Sequence, residues 1–249
     1  MSEKISRFDG KASIYASSRP TYPLKTLHQI SEVTDLPTDA TVYDLGAGTG
    51  LFSQILLEHF QRVHLVEPNA DMRGQAENVL PTDHSTSIDA EAESFPAEPR
   101  SIDLITAAQA FHWFDQPRAK AHWRQVLKPS GWVALVWNTR IPSTPFAEEV
   151  GNLLKALVDA SPQGDIPQDS ADEEILAFFE SAQILATEHT TPLSEQELCN
   201  LVMSRSYSPR SGEPLFAEIK EKVQDIHASY QSNGLVDLPY LTKLYIGRI

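Results

Sequence analysis

Short apolar runs rich in β-branched residues alternate with amphipathic segments along roughly the first 140 residues of the chain. Such runs are typical of buried strands, and apolar residues at helical spacing are typical of helices that cover a sheet. The pattern predicts strands over 42–45, 62–67, 85–89, 101–108 and 132–138. Between them it predicts helices over 24–33, 51–60, from 69 onward and over 116–127. This alternation indicates an α/β fold with a mostly parallel sheet.

The alternation ends after Thr139. Beyond it, we predict helices over 146–160, 172–180, 194–205 and 214–230, and strands over 184–190 and 241–248. Residues 161–171 form a polar loop. We expect one structural domain in two parts. Residues 1–139 form the ligand-binding core with an N-terminal arm over the cleft, and residues 140–249 supply helical cap segments and the last two strands of the sheet.

The arm spans residues 7–23 and reads R-F-D-G-K-A-S-I-Y-A-S-S-R-P-T-Y-P. We predict a short helix that ends before Arg19, followed by an extended segment, because residues before proline avoid the helical conformation. Phe8, Tyr15 and Tyr22 are spaced so that they either pack over a cleft or tie the arm to the surface of the core.

The most informative stretch is T-V-Y-D-L-G-A-G-T-G, in which the first predicted strand runs into alternating glycines. Gly46 and Gly48 have no Cβ, so the backbone can turn sharply and come close to a ligand. The helix predicted after them points its first N–H groups at that position and favours a negative group there. Asp44, at the end of the strand, either holds the loop or meets a cationic ammonium group.

The spacing of the glycines bears on the class of nucleotide. A dinucleotide fingerprint is G-x-G-x-x-G. Here the third glycine, Gly50, comes one residue early, and Leu51 stands where that fingerprint needs glycine. This disfavours a dinucleotide, and the alternative at this point is a glycine-rich turn in another kind of α/β domain.

A carboxylate, Glu67, ends the second predicted strand about 20 residues after the glycine turn, where open α/β sheets place an acid that accepts hydrogen bonds from a ribose. Pro68 follows it. The next helix carries Met72, which either lines the adenine face of a nucleotide or packs in the core. The acidic stretch D-A-E-A-E-S-F-P at 89–96 is either a solvated loop or a partner for an adenine amino group.

The amino-acid composition limits the kinds of molecule that the protein can be expected to bind. With 249 residues, 41% of them hydrophobic, the chain can bury a core. A net charge of −14 repels polyanions, so we expect a small-molecule substrate rather than nucleic acid or a membrane surface. No run approaches the roughly 18 apolar residues of a membrane span.

The cysteines and histidines of the sequence bear on the cellular compartment and on whether the protein binds a metal ion. The N-terminus lacks an apolar signal core, and the single cysteine, Cys199, suits a reducing cytoplasm. We expect Cys199 to be a small core residue. There is no C-x-x-C or H-E-x-x-H motif, and the histidines lack ligand spacing, so we expect no metal site.

Five motifs, in this order, resemble class I S-adenosylmethionine (AdoMet) dependent methyltransferases. They are D-L-G-A-G-T-G, the acid Glu67 at the end of a strand, A-E-S-F-P at 92–96, A-F-H-W-F-D at 110–115 and V-L-K-P-S-G-W at 126–132. One departure is Ser130, where the family usually has glycine. After the fourth strand there is no N-P-P-Y, the motif of relatives that methylate amino groups of adenine or glutamine.

Other segments are similar to a narrower branch of small-molecule methyltransferases, which includes trans-aconitate methyltransferase-like proteins. They are Y-x-x-x-R-P-x-Y-P from Tyr15, F-H-W-F, S-R-S-Y-S-P at 204–209 and L-P-Y-L-T-K-L-Y-I-G-R at 238–248. The resemblance covers nearly the whole chain. It implies a Rossmann-like fold whose seven-stranded, mostly parallel sheet has an antiparallel last strand, helices on both faces and a helical cap.

The resemblance also implies which residues hold AdoMet and its product, S-adenosylhomocysteine. Asp44 and the glycine loop would surround the methionine part, Glu67 would bind the ribose, and Gln109 would border the methyl group. The loop at 91–93 would frame the adenine, and the arm would close over the carboxylate end. The predicted cofactor-binding residues are Tyr15, Arg19, Asp44, Gly46, Ala47, Gly48, Glu67, Pro68, Met72, Glu91, Ala92, Glu93 and Gln109.

Aromatic residues and a histidine follow the fourth strand, at the carboxyl end where open α/β sheets bind ligands. His112 is either a general base or a structural residue that hydrogen-bonds and packs. Arg140 either pairs with a substrate carboxylate or is a surface charge. The predicted substrate-pocket residues are His112, Trp113, Phe114, Asn138, Arg140 and Tyr207.

We therefore expect in-line transfer of a methyl group from AdoMet to a small metabolite, as O-methylation of a carboxylate or a hydroxyl. The sulfonium methyl is already activated, so the protein has to hold the nucleophile in line and exclude water. A carboxylate needs no general base, whereas a hydroxyl does. The alternatives are an AdoMet-binding protein without turnover and a nicotinamide-dependent oxidoreductase, which Leu51 disfavours.

Overall fold

The computed structural model describes residues 20–160, 171–205, 207–209 and 211–249. Within these residues, seven strands form one sheet. The strands are β1 (Val42–Leu45), β2 (Val63–Val66), β3 (Ser85–Ile88), β4 (Ile102–Ala108), β5 (Leu127–Arg140), β6 (Ser181–Leu193) and β7 (Val236–Arg248). Their order across the sheet is β3-β2-β1-β4-β5-β7-β6.

Helices pack against the sheet and, in the second half of the chain, against each other. They are α1 (Leu24–Thr34), α2 (Leu51–Leu56), α3 (Ala70–Val79), α4 (Gln116–Val126), α5 (Pro145–Asp159), α6 (Asp172–Leu176), α7 (Glu195–Met203) and α8 (Pro214–Tyr230). A short 3-10 turn, Phe111–Trp113, follows β4. No helix in the described part of the chain is both long and apolar enough to cross a membrane.

Strands β1 to β5 pair in parallel, and β7 runs antiparallel to both of its neighbours, β5 and β6. All four residues of β1 are buried, as expected for a parallel strand covered on both faces. The prediction of a seven-stranded, mostly parallel Rossmann-like sheet with an antiparallel last strand is confirmed.

The predicted bounds of three elements in the second half of the chain were wrong. The last two strands are 13 residues each rather than seven and eight, because β6 and β7 pair along their whole length. The helix predicted over 172–180 ends at Leu176. After it, Phe178 and Phe179 turn into the core, where both are buried.

Residues 128–131, which lie between the helix predicted over 116–127 and the strand predicted over 132–138, are part of β5. Ile102 faces Leu127 and Leu104 faces Trp132, so the pairing register shifts between these two positions. The intervening residues bulge out of the ladder, which explains why their Lys-Pro-Ser-Gly sequence reads as a turn.

Three apolar clusters hold the fold together. Two of them are built on the sheet, and the third joins α5, α7 and α8 to β7. Cys199 is buried in this third cluster, as predicted for a small core residue. The three helices thus form a cap that packs on β7.

Candidate functional site

A cavity of about 380 Å³ lies at the carboxyl ends of the central parallel strands. Its wall brings together most of the residues predicted from the sequence, although they come from distant parts of the chain. The predicted residues on the wall are Asp44, Gly46, Ala47, Gly48, Glu67, Pro68, Met72, Glu91, Ala92, Glu93, Gln109, Trp113, Phe114 and Asn138.

The glycine loop forms a section of the wall, and two of its positions are glycine for different reasons. Gly46 has a φ of 63°, and a Cβ added there would lie 2.6 Å from the Cβ of Ala110, so the protein's own packing requires glycine. Gly48 has a φ of 58°, but a Cβ added there would have no atom within 4 Å. Gly48 therefore leaves space in front of the backbone, which a ligand can approach closely.

Asp44 is buried at the end of β1 and accepts hydrogen bonds from two hydroxyls. The Ser53 Oγ donates at 2.6 Å and the Thr106 Oγ1 at 2.8 Å. Burial raises the pKa of Asp44 to about 6, although these hydrogen bonds lower it. At neutral pH the ionised carboxylate therefore opposes folding by about 3 kcal/mol relative to an unburied one. The two hydrogen bonds fit the prediction that Asp44 holds the glycine loop. The free energy that its buried charge still costs suits the other prediction, in which the carboxylate meets a cationic group.

Glu67 links the glycine loop to the start of α3. Its Oε2 accepts the backbone N–H of Gly48 at 2.9 Å, and its Oε1 accepts that of Asn69 at 2.8 Å. Burial raises the pKa of Glu67 even though both N–H groups lower it. Each carboxylate oxygen has a second lone pair, so Glu67 can accept hydroxyl protons while keeping both backbone contacts.

A hydrogen bond from helix α4 holds the loop between β3 and β4 in place. The indole Nε1 of the fully buried Trp123 donates to the carbonyl of Ala92 at 2.8 Å. The Glu93 carboxylate accepts the N–H of Asp115 at 2.6 Å, which ties this loop to the segment after β4. Asp115 in turn caps α4 by accepting from the N–H of Arg118, as its sequence position predicts.

Met72 is 3% exposed, as expected for a core residue, and it also lies on the cavity wall. Its N–H donates to the side chain of Asn69, which caps α3 at its first turn. The start of α3 is thereby fixed beside Glu67.

The amides of Gln109 and Asn138 connect the central strands. Gln109 has a φ of 55°, rare for a residue with a side chain, and its Nε2 donates to the carbonyl of Asn138 at 2.7 Å. The Asn138 amide donates to the carbonyl of Thr21 at 3.3 Å and accepts from the Thr242 hydroxyl. This network joins β4, β5, β7 and the described end of the arm.

The described end of the arm crosses the cavity. Pro20 and Tyr22 lie on the wall, and the ring of Tyr22 packs edge-on against Phe52 with centroids 5.0 Å apart. Tyr22 thus fits both alternatives given for the arm, because it lies on the cavity wall and also packs on the core. The predicted residues Tyr15 and Arg19, with Phe8, lie outside the described residues.

Three predicted pocket residues, His112, Arg140 and Tyr207, are not on the wall. In the 3-10 turn, Phe111 takes the buried core position and His112 lies against Trp113, with ring centroids 5.3 Å apart. Arg140 is the last residue of β5, opposite Tyr240. Tyr207 packs against the cluster of cap helices. The geometry therefore favours the structural alternative for His112.

Sequence reasoning missed other wall residues, among them Thr49, Arg205 and Tyr240. Arg205 follows α7, and Tyr240 comes from β7. Both reach the cavity only because the cap packs on β7 and β7 returns antiparallel beside β5, which no local pattern reveals. Arg205 lies in S-R-S-Y-S-P, a segment quoted for its resemblance without an assigned role.

Charge is distributed unevenly over the wall. The carboxylates among the described wall residues are Asp44, Glu67, Glu91, Glu93 and Asp115, and Arg205 is the one described cation. No group of three or more histidine, cysteine or acidic side chains in the described ranges could hold a metal ion. The wall thus suits a ligand with cationic groups at one end.

Comparisons with known proteins agree with this geometry. Residues 43–135 match the family model described as a methyltransferase domain. An uncharacterized methyltransferase from Mycobacterium tuberculosis is 32% identical over an alignment 243 residues long, which covers 94% of this chain and 92% of that relative.

Solved structures share the fold. A candidate type II methyltransferase from Anaeromyxobacter dehalogenans has 25% identity and a TM-score of 0.67, over 92% of this chain and 97% of that one. An N-methyltransferase from Haemonchus contortus, solved with phosphomonomethylethanolamine and S-adenosylhomocysteine, has 14% identity and a TM-score of 0.57. The aligned region covers 100% of this chain and 61% of the Haemonchus contortus chain. From the fold, the site and the full-length relative, the chain belongs to the class I AdoMet-dependent methyltransferases.

Proposed function

We propose that this methyltransferase binds AdoMet along the wall from Glu67 to Gln109 and methylates an oxygen of a small metabolite, a carboxylate or a hydroxyl. The observation that carries the proposal is one continuous cavity that joins the glycine loop and Glu67 to the aromatic residues Trp113 and Phe114. Its volume of about 380 Å³ is within the range of small-molecule sites.

The described residues fit AdoMet in three respects. Gly48 leaves open space in front of the loop. Glu67 is already oriented by two backbone N–H groups and has lone pairs left for ribose hydroxyls. The buried carboxylate of Asp44 would gain from a cationic neighbour, since burial disfavours its charge.

When bound, AdoMet supplies a methyl group that its sulfonium has already activated for in-line displacement. The protein's part is to hold the acceptor oxygen in line and to exclude water. Tyr22, Trp113 and Phe114 supply apolar surface for this purpose. Among the described wall residues there is no histidine, lysine or cysteine. A carboxylate acceptor needs no base, whereas a hydroxyl would depend on a wall carboxylate to take its proton.

Two alternatives from the sequence bear on this proposal. Membership of the methyltransferase family and the position of Leu51 leave the nicotinamide-dependent reaction without support. A protein that binds AdoMet without turnover would share the cofactor section of the wall. It is distinguished by whether methyl groups are transferred.

The first experiment is calorimetric titration with AdoMet, S-adenosylhomocysteine and NAD. We expect the first two to bind and NAD not to bind. Tight NAD binding without AdoMet binding would contradict the proposal.

The second experiment uses AdoMet with a labelled methyl group and a metabolite extract. Methyl esters release their label in mild alkali, whereas methyl ethers and methylamines keep it, and mass spectrometry of the alkali-stable products distinguishes ethers from amines. We expect labelled products on oxygen. Label found only on nitrogen would contradict O-methylation, and binding without any transfer would support the alternative without turnover.

A further inference from the structure

The two edges of the sheet differ in how far a strand from another molecule can pair with them. β3, at one edge, has four residues, whereas β6, at the other edge, has 13. In an edge strand, every second residue directs its N–H and C=O groups to the outer side, where they have no strand to pair with. β3 is short and offers few of these groups. β6 offers a row of them along its whole length.

β6 lacks the features by which edge strands usually avoid pairing with another chain. It contains no lysine or arginine, and its one acid is Glu188. Its proline, Pro192, is the next-to-last residue of the strand. The register with β7 runs without a shift from Ser181 to Leu193, so no bulge bends the strand away. Within the described residues, no backbone hydrogen bond reaches the outer side of β6.

β6 is supported on one face and exposed on the other. On the supported face, the buried Thr187 donates from its Oγ1 to the Oε1 of Gln29 on α1 at 3.4 Å. On the other face, Ile184 is 38% exposed, and Ala186 and Thr190 are exposed as well. The strand is therefore already ordered, and pairing with another strand costs little conformational entropy.

We propose that two copies of this chain pair through their β6 strands, antiparallel and related by a two-fold axis, so that their sheets join into one continuous sheet. Two identical edges satisfy each other's backbone groups in such a dimer, and the short β3 edges leave the assembly closed. The pairing does not depend on which ligand the cavity binds.

The distribution of charge favours a second copy as the partner. Pairing over the full length of both strands puts Thr187 on the axis, Ile184 opposite Thr190, and Ala186 opposite Glu188. Like charges directly opposite each other, which are destabilising, are thereby avoided. The chain has a net charge of −14, so two copies approach each other with least repulsion along a strip that carries a single acid.

The size of the strip is compatible with a specific dimer. A strand of 13 residues is about 44 Å long, and a sheet layer is about 10 Å thick, which gives about 440 Å² for each copy. This is roughly half of the 800 Å² that each partner buries in a standard interface. Helices α1 and α7 pack on β6 and flank the strip, so they add to the buried area. We therefore expect a reversible dimer rather than an obligate one.

Sedimentation velocity of the wild-type protein over a range of concentrations is the first test. We expect a monomer–dimer equilibrium that shifts toward the dimer as salt is added, because salt screens the repulsion between two chains of charge −14. Backbone amides of residues 181–193 should exchange hydrogen more slowly at concentrations where the dimer forms. A wild type that stays monomeric at every concentration and salt level would overturn the proposal and leave this edge to a strand of a different protein.

Two double variants test the interface and its register. Ile184→Lys with Thr190→Lys puts like charges opposite each other twice across the axis and should weaken the dimer. Ile184→Lys with Thr190→Glu puts opposite charges there and should restore it, with dissociation constants that differ by about 10-fold between the two variants. The first variant also lowers the net negative charge of the chain, so a weaker dimer cannot come from general repulsion.

The matched control is Val79→Lys with Leu215→Lys, which adds the same two cations on α3 and α8. Both side chains are 48% exposed, and the control should dimerise at least as well as wild type. If the control weakened the dimer as much as the lysine pair on β6, or if both β6 variants dimerised like wild type, the interface would lie elsewhere. Circular dichroism and thermal unfolding show that the variants are folded.

Discussion

Individual carboxylates on the wall differ in what holds them. Asp44 is held by two side-chain hydroxyls, whereas Glu67 is held by two backbone N–H groups. Both are buried, and burial raises both pKa values. Because a buried carboxylate costs free energy, residues of this kind are often kept for binding rather than for stability.

Glu67→Ala should weaken AdoMet binding by about 1.5–3 kcal/mol for each hydrogen bond lost to the charged carboxylate. One or two such bonds to the ribose are expected, and calorimetry measures the change. Glu67→Gln is the matched control because it keeps one carbonyl oxygen and should lose less. Unchanged affinity in Glu67→Ala would mean that the ribose is held elsewhere.

AdoMet binding should depend on pH through Asp44. Its pKa is raised to about 6 in the free protein, and a bound cation favours the ionised form. The affinity should therefore be full above pH 7 and fall as the pH drops through 6, by about tenfold at pH 5. Calorimetric titration at several pH values measures this profile.

Asp44→Asn removes the titrating group and should bind with an affinity that is nearly independent of pH. If the AdoMet affinity of Asp44→Asn still fell at low pH, the titrating group would be Glu67, whose pKa is also raised. A flat profile in wild type would show that no cation approaches Asp44.

The residues of the cavity wall are positioned by the strands and helices whose ends lie next to it. β1, β2 and β4 end at the cavity, and the residues that follow each of them form a section of the wall. The loop after β3 is held in place from another element, since Trp123 of α4 donates to Ala92. A helix on one face of the sheet thus fixes a loop at its edge.

Trp123→Phe should test this link between α4 and the loop. The substitution leaves the Ala92 carbonyl without its buried donor and opens a small cavity, which should lower the free energy of unfolding by about 1–3 kcal/mol. AdoMet affinity should also fall because the loop at 91–93 loosens. Denaturant unfolding and calorimetry measure the two effects.

The matched control is Trp132→Phe. Trp132 lies on β5, where the guanidinium of Arg248 stacks 3.7 Å from its ring centroid, away from the loop. It should change stability without changing AdoMet affinity. If Trp123→Phe lowered stability but left the affinity intact, the loop at 91–93 would not contribute to binding.

At the scale of the whole molecule, a strongly acidic protein encloses a cavity whose described wall has five carboxylates and one guanidinium. Net charge acts over long distances and repels polyanions, whereas the charges on the wall act locally and are screened less by salt. Polyanions are therefore disfavoured as ligands, and the choice among small ligands depends on the wall itself.

The sequence by itself determined what is local. The N-cap of α4 and the turn from Glu67 into α3 are short motifs whose residues contact each other within a few positions, so their structure follows from spacing. The alternation of strand and helix likewise predicted the parallel half of the sheet, since each element carries its own periodicity.

Only the tertiary structure decided which residues complete the cavity wall. Arg205 reaches the wall because the cap helices pack on β7, and Tyr240 because β7 lies antiparallel beside β5. His112 misses the wall because Phe111 takes the core position in the 3-10 turn. These placements depend on packing between segments that are distant in the sequence, which no pattern within a segment encodes.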